Sequence, residues 1–359
     1  MADSNIKSLE AKCYCGSVHF TIDIPTAKLP LATHLCHCSI CRYQSGAPAV
    51  FHTELPDDVE PRYIAPSSPV NLTTYVGEGR TSSWQFCSTC GCHIATVGIQ
   101  PDRLGRIVMS TSIFKEGGPE NFKISRHIYT DSTGDGGIAS MLTSIGGREI
   151  EVWNPPEGDA GATKAIPDKK PDIDDPDRLR AECYCGGVSF TIQRPTHEAL
   201  NDEFMSTFVS PLDRTKWLGT LDACDDCRLV TGTHVIGWTF VPLKVCEPAI
   251  ASDLLIGTAK TYVSSPGVLR SFCGTCGATV FYSCDDRHVG LDSQVVDVAV
   301  GILQAREGSM AESWLTWRSR LGAEGSGRRY DNEFTEALVE GSKKWVIERC
   351  GKELTFTIG

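Results

Sequence analysis

The sequence has no long apolar run and no basic cluster, and its first residues do not have the pattern of a secretory leader. Each of these absences disfavours one class of protein. No stretch approaches the roughly 20 apolar residues that a membrane-spanning helix needs. Of its 359 residues, 34 are Lys or Arg and 45 are Asp or Glu, a net charge of -11. Nucleic acid and anionic membrane surfaces are bound through clustered positive charge, so neither is an expected partner. The first residues, MADSNIKSLEAKCYCG, lack the charged and then apolar pattern of a leader, and we expect a cytoplasmic protein.

Cysteine, in contrast, is abundant, with 17 residues. In a reducing compartment, closely spaced thiols bind metal more often than they pair as disulfides, and an odd number excludes complete pairing. A secreted, disulfide-rich protein is the alternative. The missing leader and a cysteine fraction below that of small secreted scaffolds disfavour it. The cysteines therefore predict metal sites.

The sequence contains one unit twice. KCYCGSVHFTI (12–22) recurs as ECYCGGVSFTI (182–192) at an offset of 170, whereas later landmarks such as Cys38 and Cys224 recur at an offset of 186. Two constant offsets indicate one duplication and one insertion of 16 residues. The insertion falls within 197–218, where the composition predicts a short helix or a long loop.

The copies are separated by a segment rich in Pro, Gly and Asp, residues 154–177. That composition is typical of an exposed linker. We therefore predict a first domain over residues 1–153, a linker over 154–177 and a second domain over 178–359.

The predicted fold class is mainly β. Short runs of β-branched and aromatic residues bounded by Gly and Pro favour strands in both copies, and helical periodicity is weak outside residues 331–345. The runs are VHFTI (18–22), RIVMSTSIF (106–114), VSFTI (188–192), HVIGWTFV (234–241) and QVVDVAV (294–300).

The outer cysteine pairs of each copy have the spacing of a structural zinc site. Such a site takes four tetrahedral ligands, usually two short pairs from distant chain segments. In the first copy the pairs are Cys13 with Cys15 and Cys87 with Cys90. In the second copy they are Cys183, Cys185, Cys273 and Cys276. We predict one structural zinc in each copy and expect the loss of a ligand to destabilise the fold.

The middle cluster of the first copy, Cys36, Cys38 and Cys41, offers three thiols and no obvious fourth ligand. Three protein ligands with an open position are typical of a catalytic zinc. In the alternative interpretation, Cys92 or His37 closes the site and makes it inert. An open zinc with three thiolates suits an incoming thiol or a polarised carbonyl, so sulfur–carbon bond formation is the expected chemistry.

The motifs CYCGSVHF, CHCSICRYQSGAP and WQFCSTCGCHI, in that order, resemble the family of glutathione-dependent formaldehyde-activating enzymes, grouped with the centromere protein V domain. The resemblance extends over both copies, and their tandem arrangement is similar to that of fungal two-domain forms. It implies two tandem zinc-bearing β-tent domains and a carbon–sulfur lyase that joins glutathione to formaldehyde as S-hydroxymethylglutathione. It also implies a structural zinc on the outer cysteines and a catalytic zinc on Cys36, Cys38 and Cys41.

Three further side chains of the first copy are candidates for the site. Arg42 follows the third thiol directly and either meets an anionic substrate group or is a solvated surface residue. His93 and His127 either lie near the pocket or occupy core or surface positions.

The second copy departs from the pattern because Asp222 replaces the first thiol of its middle cluster. A carboxylate can bind zinc, so Asp222, Cys224 and Cys227 form a candidate mixed site, with His234 or Cys284 as a further ligand. The alternative is a metal-free slot that serves only as scaffold.

Three functions follow from these patterns. The first is a zinc-dependent carbon–sulfur lyase acting on a thiol adduct of a small carbonyl compound. The second is a tailoring enzyme of secondary metabolism that uses zinc as a Lewis acid for isomerisation, dehydration or cyclisation. The third is a non-enzymatic, zinc-stabilised binding module. The expected partner is a small-molecule substrate, with glutathione as a candidate, and the sequence leaves a homo-oligomer open.

Overall fold

The computed structural model describes residues 5–156, 175–287 and 294–358. Most of the predicted linker lies outside these ranges, and the predicted domain boundaries stay a prediction. The fold is mainly β, with two β-sheet domains, as the sequence predicts. Within the described ranges, no helix is both long and apolar enough to cross a membrane.

The first copy consists of a three-stranded sheet, β1-β2-β5, and an eight-stranded sheet, β13-β10-β3-β4-β9-β8-β7-β6. A two-stranded ribbon, β11-β12, accompanies them. The strands are β1 (Ile6–Lys12), β2 (His19–Pro25), β3 (Leu31–Cys36), β4 (Val50–Glu54), β5 (Arg62–Tyr63), β6 (Leu72–Tyr75), β7 (Ser82–Cys87), β8 (His93–Gly98), β9 (Ile107–Ser110), β10 (Phe122–Ile128), β11 (Ser144–Ile145), β12 (Arg148–Glu149) and β13 (Glu151–Trp153). The helix α1 (Ser39–Ser45) lies between β3 and β4.

The second copy repeats this order with a three-stranded sheet, β14-β15-β18, and a seven-stranded sheet, β19-β20-β21-β22-β17-β16-β23. The strands are β14 (Arg178–Glu182), β15 (Ser189–Gln193), β16 (Trp217–Asp222), β17 (Ile236–Pro242), β18 (Cys246–Glu247), β19 (Ala259–Ser265), β20 (Val268–Cys273), β21 (Thr279–Cys284), β22 (Val295–Ala299) and β23 (Leu315–Trp317). The helices are α2 (His197–Asn201), α3 (Asp225–Thr231), α4 (Glu324–Tyr330) and α5 (Asn332–Cys350).

The predicted elements are present, with one strand shorter than its apolar run. The predicted insertion contains α2 and a 3-10 turn, Met205–Phe208, and the helical pattern at 331–345 lies in α5. The run 106–114 gives a strand only over Ile107–Ser110, because a 3-10 turn at Thr111–Ile113 follows.

The two copies share a hydrophobic core. The main buried cluster of the second copy also contains Leu35, Phe51 and Met141 of the first. Helix α5 makes much of this contact: the Phe334 ring meets the Phe51 ring edge to face at 5.3 Å between centroids. A Cβ added at Gly341 of α5 would sit 1.7 Å from the Met141 carbonyl oxygen, so only glycine allows this approach.

The copies are related by a local pseudo-two-fold axis. The Tyr14 amide donates to the Leu229 carbonyl at 3.0 Å, and at the equivalent positions the Tyr184 amide donates to the Tyr43 carbonyl at 3.0 Å. Equivalent residues of two symmetry-related units touch each other only near the axis. Phe86 and its counterpart Phe272 do so, with ring centroids 6.5 Å apart. The interface therefore has the self-complementary form of a symmetric dimer within one chain.

Glycine allows the closest approach across this axis. Gly46 ends α1 with φ 79, and a Cβ there would lie 2.3 Å from the Thr279 carbonyl oxygen. Its counterpart Gly232 has φ 73 and would place a Cβ 2.2 Å from the His93 carbonyl oxygen. A side chain at either position would force the two backbones apart.

Gly46→Ala is expected to destabilise the protein more than Gly105→Ala. Both residues have a positive φ, 79 and 78, so alanine costs a similar ~1–2 kcal/mol of backbone strain at each. Nothing lies within 4 Å of a Cβ at Gly105, whereas Gly46 faces Thr279. Overpacking at Gly46 should add about 1–3 kcal/mol, measured as the shift in free energy of unfolding by urea. Equal shifts for the two variants would contradict the close contact.

Candidate metal centres

The outer cysteines of the first copy converge on one point between the two sheets. Cys13 and Cys15 lie in the turn after β1, and Cys87 and Cys90 lie at the turn after β7. The Sγ atoms of Cys13 and Cys15 are 3.5 Å apart, and those of Cys15 and Cys87 are 3.6 Å apart. A tetrahedral zinc with bonds of about 2.3 Å requires sulfur separations of roughly 3.8 Å. The four thiols therefore suit a closed four-coordinate metal.

The second copy repeats this centre at Cys183, Cys185, Cys273 and Cys276. The Sγ atoms of Cys183 and Cys185 are 3.6 Å apart, and those of Cys185 and Cys273 are 3.5 Å apart. Backbone N–H groups of Gly187 and Val188 donate to the sulfurs of Cys185 and Cys183 at 3.4 and 3.3 Å. Such donors stabilise the thiolate form that metals bind.

The middle cluster of the first copy is built at the junction of β3 and α1. Cys36 ends β3, and Cys38 is the N-cap of α1, where its Sγ accepts from the Cys41 amide at 3.4 Å. The Sγ atoms of Cys36 and Cys38 are 3.5 Å apart, and all three thiols lie within 4.8 Å of one another. This local strand-to-helix turn thus gathers the three sulfurs without help from distant segments.

The two proposed fourth ligands of this cluster lie elsewhere. Across the described residues, the group contains only Cys36, Cys38 and Cys41. Cys92 packs instead in the same buried cluster as Cys87 and Cys90, and its carbonyl accepts from the Cys87 amide at 2.9 Å. His37 directs its Nε2 to Nδ1 of His127 at 2.8 Å. Closure by either residue is therefore wrong for the described structure, and three sulfurs without a fourth protein ligand remain.

The three thiols of the middle cluster share their charge unequally. Hydrogen bonds from the Cys36 and Cys41 thiols hold the pKa of Cys38 well below its usual range. The same contact with Cys38 raises the pKa of Cys36, which burial raises further. The cluster therefore concentrates negative charge in a buried position, where a cation is the natural counterpart.

Aromatic side chains from both copies surround the middle cluster. Trp84, Tyr75 and Tyr129 of the first copy pack in the same apolar cluster as Cys36 and Cys38, and so do Phe272 and Tyr184 of the second. Tyr129 adopts a left-handed conformation with φ 59, an uncommon backbone for a non-glycine residue. Burial raises the pKa of its phenol, and the thiols of the cluster add to this. These five side chains together form an aromatic wall beside the three sulfurs.

Arg42 is buried inside the loop that follows the cluster. It is 3 % exposed, its Nε donates to the His37 carbonyl at 3.2 Å, and its Nη2 donates to Ser39 Oγ at 3.3 Å. It is not a solvated surface residue. Its role toward an anionic substrate group stays a prediction, whereas its contacts hold α1 against the end of β3.

Buried histidines form two pairs in the first copy. Nε2 of His52 lies 2.7 Å from Nε2 of His93, whose ring stacks on Trp84 at 3.5 Å. His127, already paired with His37, also lies 2.8 Å from the Leu142 carbonyl oxygen through its Nε2. Burial lowers the pKa of His93 to about 3 and that of His52 well below its usual range. These imidazoles are neutral at pH 7 and support the cluster through packing.

The mixed cluster of the second copy gathers Asp222, Cys224 and Cys227, without His234 or Cys284. His234 stacks on Phe51 at 4.2 Å instead, so these fourth ligands are wrong for the described structure. Arg270 directs Nη1 toward Cys227 Sγ at 3.8 Å and is only 5 % exposed. At the equivalent position the first copy has Trp84. A buried cation therefore already accompanies this cluster, which fits a zinc ion less well than the other three.

Comparison with known proteins agrees with this geometry. Residues 8–132 match the family described as Glutathione-dependent formaldehyde-activating enzyme. The first copy carries a domain of that family. The matched residues contain all seven cysteines of its outer and middle clusters. The second copy repeats the strand order and the four-cysteine centre of this domain. No curated protein matches the chain significantly.

The aromatic wall was not predicted from the sequence. Tyr184 and Tyr14 occupy the same place in the two copies, between the cysteines of C-Y-C, so their recurrence was visible in the sequence. Their direction toward the opposite copy was not, because it depends on the pseudo-two-fold packing. Tyr75 and Tyr129 are isolated in the sequence and come together only through the fold.

Loss of one outer cysteine should unfold its copy. Structural zinc contributes on the order of 10 kcal/mol in small domains, comparable to the whole stability of a domain. Cys87→Ser is therefore expected to abolish cooperative thermal unfolding of the first copy and to lower zinc content. Cys350→Ser is the control: this half-buried thiol lies at the end of α5 outside the clusters and should change stability by less than about 1 kcal/mol. A cooperative, wild-type-like transition in Cys87→Ser would refute a structural role for the centre.

Proposed function

We propose that the chain is a zinc-dependent carbon–sulfur lyase-type enzyme whose site is the middle cluster of the first copy. The observation that carries the proposal is the set of three sulfurs without a fourth ligand among the described residues, Cys36, Cys38 and Cys41, in a domain whose family is named for formaldehyde activation with glutathione. The substrate pair is a thiol of the glutathione type and a small aldehyde.

The reaction joins the thiol sulfur to the carbonyl carbon and breaks the carbonyl π bond, while the thiol proton ends on the new hydroxyl group. Zinc at this cluster would hold the incoming thiol as its nucleophilic thiolate. The chain's own contribution is position and exclusion of water. The N-cap of α1 positions the sulfurs, and Arg42 holds α1 against the end of β3. The aromatic wall makes the surroundings of the three sulfurs apolar.

The alternative functions have distinct signatures. A Lewis-acid tailoring enzyme would turn over its substrate without a thiol. A binding module would have its middle sites closed or empty, and three sulfurs without a fourth ligand among the described residues favour the enzyme. Residence in the cytoplasm, where glutathione is reduced, is part of the proposal.

Cys38→Ser and Cys224→Ser test the proposal at equivalent positions of the two copies. Cys38→Ser should lower thiol-dependent turnover of formaldehyde with glutathione by at least about 10- to 100-fold. Replacing a residue that only supports a metal ligand typically has an effect of this size, and the loss of a ligand itself should cost no less. Cys224→Ser should leave turnover near the wild-type rate. Exchange NMR with labelled formaldehyde measures the catalysed rate above the spontaneous one. Undiminished turnover in Cys38→Ser would exclude this cluster as the site.

A further inference from the structure

We propose that the second copy completes the site of the first by supplying Tyr184, whose hydroxyl group contacts an anionic thiol substrate. This inference rests on the proposed function for the location of the thiol. It adds a specificity-determining residue from the other copy, which recognises a carboxylate of that thiol.

The backbone of Tyr184 is fixed against the helix that carries the cluster. Its amide donates to the Tyr43 carbonyl of α1 at 3.0 Å, two residues beyond Cys41. Its ring packs edge to face on Tyr75, with centroids 6.2 Å apart. The Tyr184 side chain therefore belongs spatially to the first copy although it comes from the second.

The hydroxyl end of Tyr184 lies over the loop between β6 and β7. A Cβ built at Gly77 would lie 2.9 Å from the Tyr184 hydroxyl oxygen and 3.0 Å from Cγ of Arg80. The Tyr184 side chain also packs against the apolar cluster that contains Cys36 and Cys38. The Tyr184 hydroxyl and the Arg80 side chain thus flank the same loop glycine, and a phenol beside a cationic side chain suits a carboxylate.

The equivalent tyrosine of the first copy is used differently. The Tyr14 hydroxyl donates to the Ser264 carbonyl at 3.1 Å. The Tyr14 ring packs edge to face on Tyr262 with centroids 6.2 Å apart, which is the same contact that Tyr184 makes with Tyr75. Within the described ranges, the half-buried Tyr184 hydroxyl has no such protein acceptor. The two tyrosines share a position and a ring contact, and only Tyr184 keeps its proton available for a ligand.

Tyr184→Phe and Tyr14→Phe test this difference. Calorimetric titration of the zinc-loaded proteins with glutathione should show about a 10-fold or greater loss of affinity in Tyr184→Phe, because one hydrogen bond to a charged group is lost. Tyr14→Phe should bind as the wild type does. Glutathione diethyl ester, which has the same thiol without the carboxylate charges, should bind the wild type and Tyr184→Phe alike.

Other results would overturn the inference. Wild-type glutathione affinity in Tyr184→Phe, an equal loss in Tyr14→Phe, or an equal loss for the diester would each do so. Absence of glutathione binding by the wild type would overturn both the inference and the proposed function. Binding that depends on Tyr184 but is not followed by turnover would overturn the proposed function alone.

A separate observation concerns the mixed cluster of the second copy: we infer that it takes no zinc, because the guanidinium of Arg270 replaces the metal as its counter-charge. Besides Cys227, this guanidinium is fixed by Ser264, whose Oγ accepts from Nε at 3.1 Å, and by the Tyr282 ring at 4.7 Å. One oxygen of Asp222 already accepts from the Cys224 amide at 2.7 Å. A second cation next to Arg270 would be repelled at short range in a buried site.

Zinc stoichiometry by native mass spectrometry tests this inference. Wild type and Cys224→Ser should have the same number of zinc ions per chain, because the mixed cluster contributes none. Arg270→Trp, which installs the residue of the first copy, should gain one ion, and Arg270→Leu is a smaller replacement should the tryptophan variant not fold. Loss of one ion in Cys224→Ser, or no gain in either Arg270 variant, would overturn the inference.

Discussion

The pairing of the two copies across their pseudo-two-fold axis is the constraint on which the other features depend. It is held by two equivalent backbone hydrogen bonds, Tyr14 to Leu229 and Tyr184 to Tyr43. Each joins the C-Y-C turn of one copy to the helix at the middle cluster of the other, α3 or α1, which we call the knuckle helix. The C-Y-C turn also carries two ligands of an outer cluster, and the knuckle helix carries ligands of a middle cluster. The interface therefore links the centre that stabilises each copy to the candidate reaction site of the other.

This arrangement explains how the copies differ without losing their fold. The outer clusters are the same in both, since each closes its own sheets and changes there would cost the fold. The middle clusters have diverged, because the two equivalent hydrogen bonds use only the backbone of the knuckle helix. In the first copy three thiols face aromatic side chains, whereas in the second Arg270 occupies the place of Trp84 beside two thiols and a carboxylate. Divergence is therefore concentrated where it does not disturb the pairing.

The second copy also has a role beyond that of a scaffold. Helix α5 and the shared core fix its orientation on the first copy, so Tyr184 and Phe272 reach the middle cluster of the first copy at defined positions. Among the described residues, the second copy contributes three aromatic side chains to the packing around this cluster: Phe272, Tyr184 and Tyr262. Tandem fusion makes such an unequal pair possible because each half is always matched with the other.

The sequence by itself determined the duplication, the mainly β class, the four thiol clusters and the loss of one thiol at Asp222. Each short group of ligands follows from local spacing, since ligands two or three residues apart on a turn converge regardless of the rest of the chain. The two pairs of each outer cluster, in contrast, meet only through the fold. Only the tertiary structure decided that Arg42 is buried within its loop, that Cys92 lies beside the outer cluster, and that Tyr184 and Arg270 flank opposite middle clusters. These outcomes depend on packing between residues distant in sequence and across the interface, which neither periodicity nor spacing encodes.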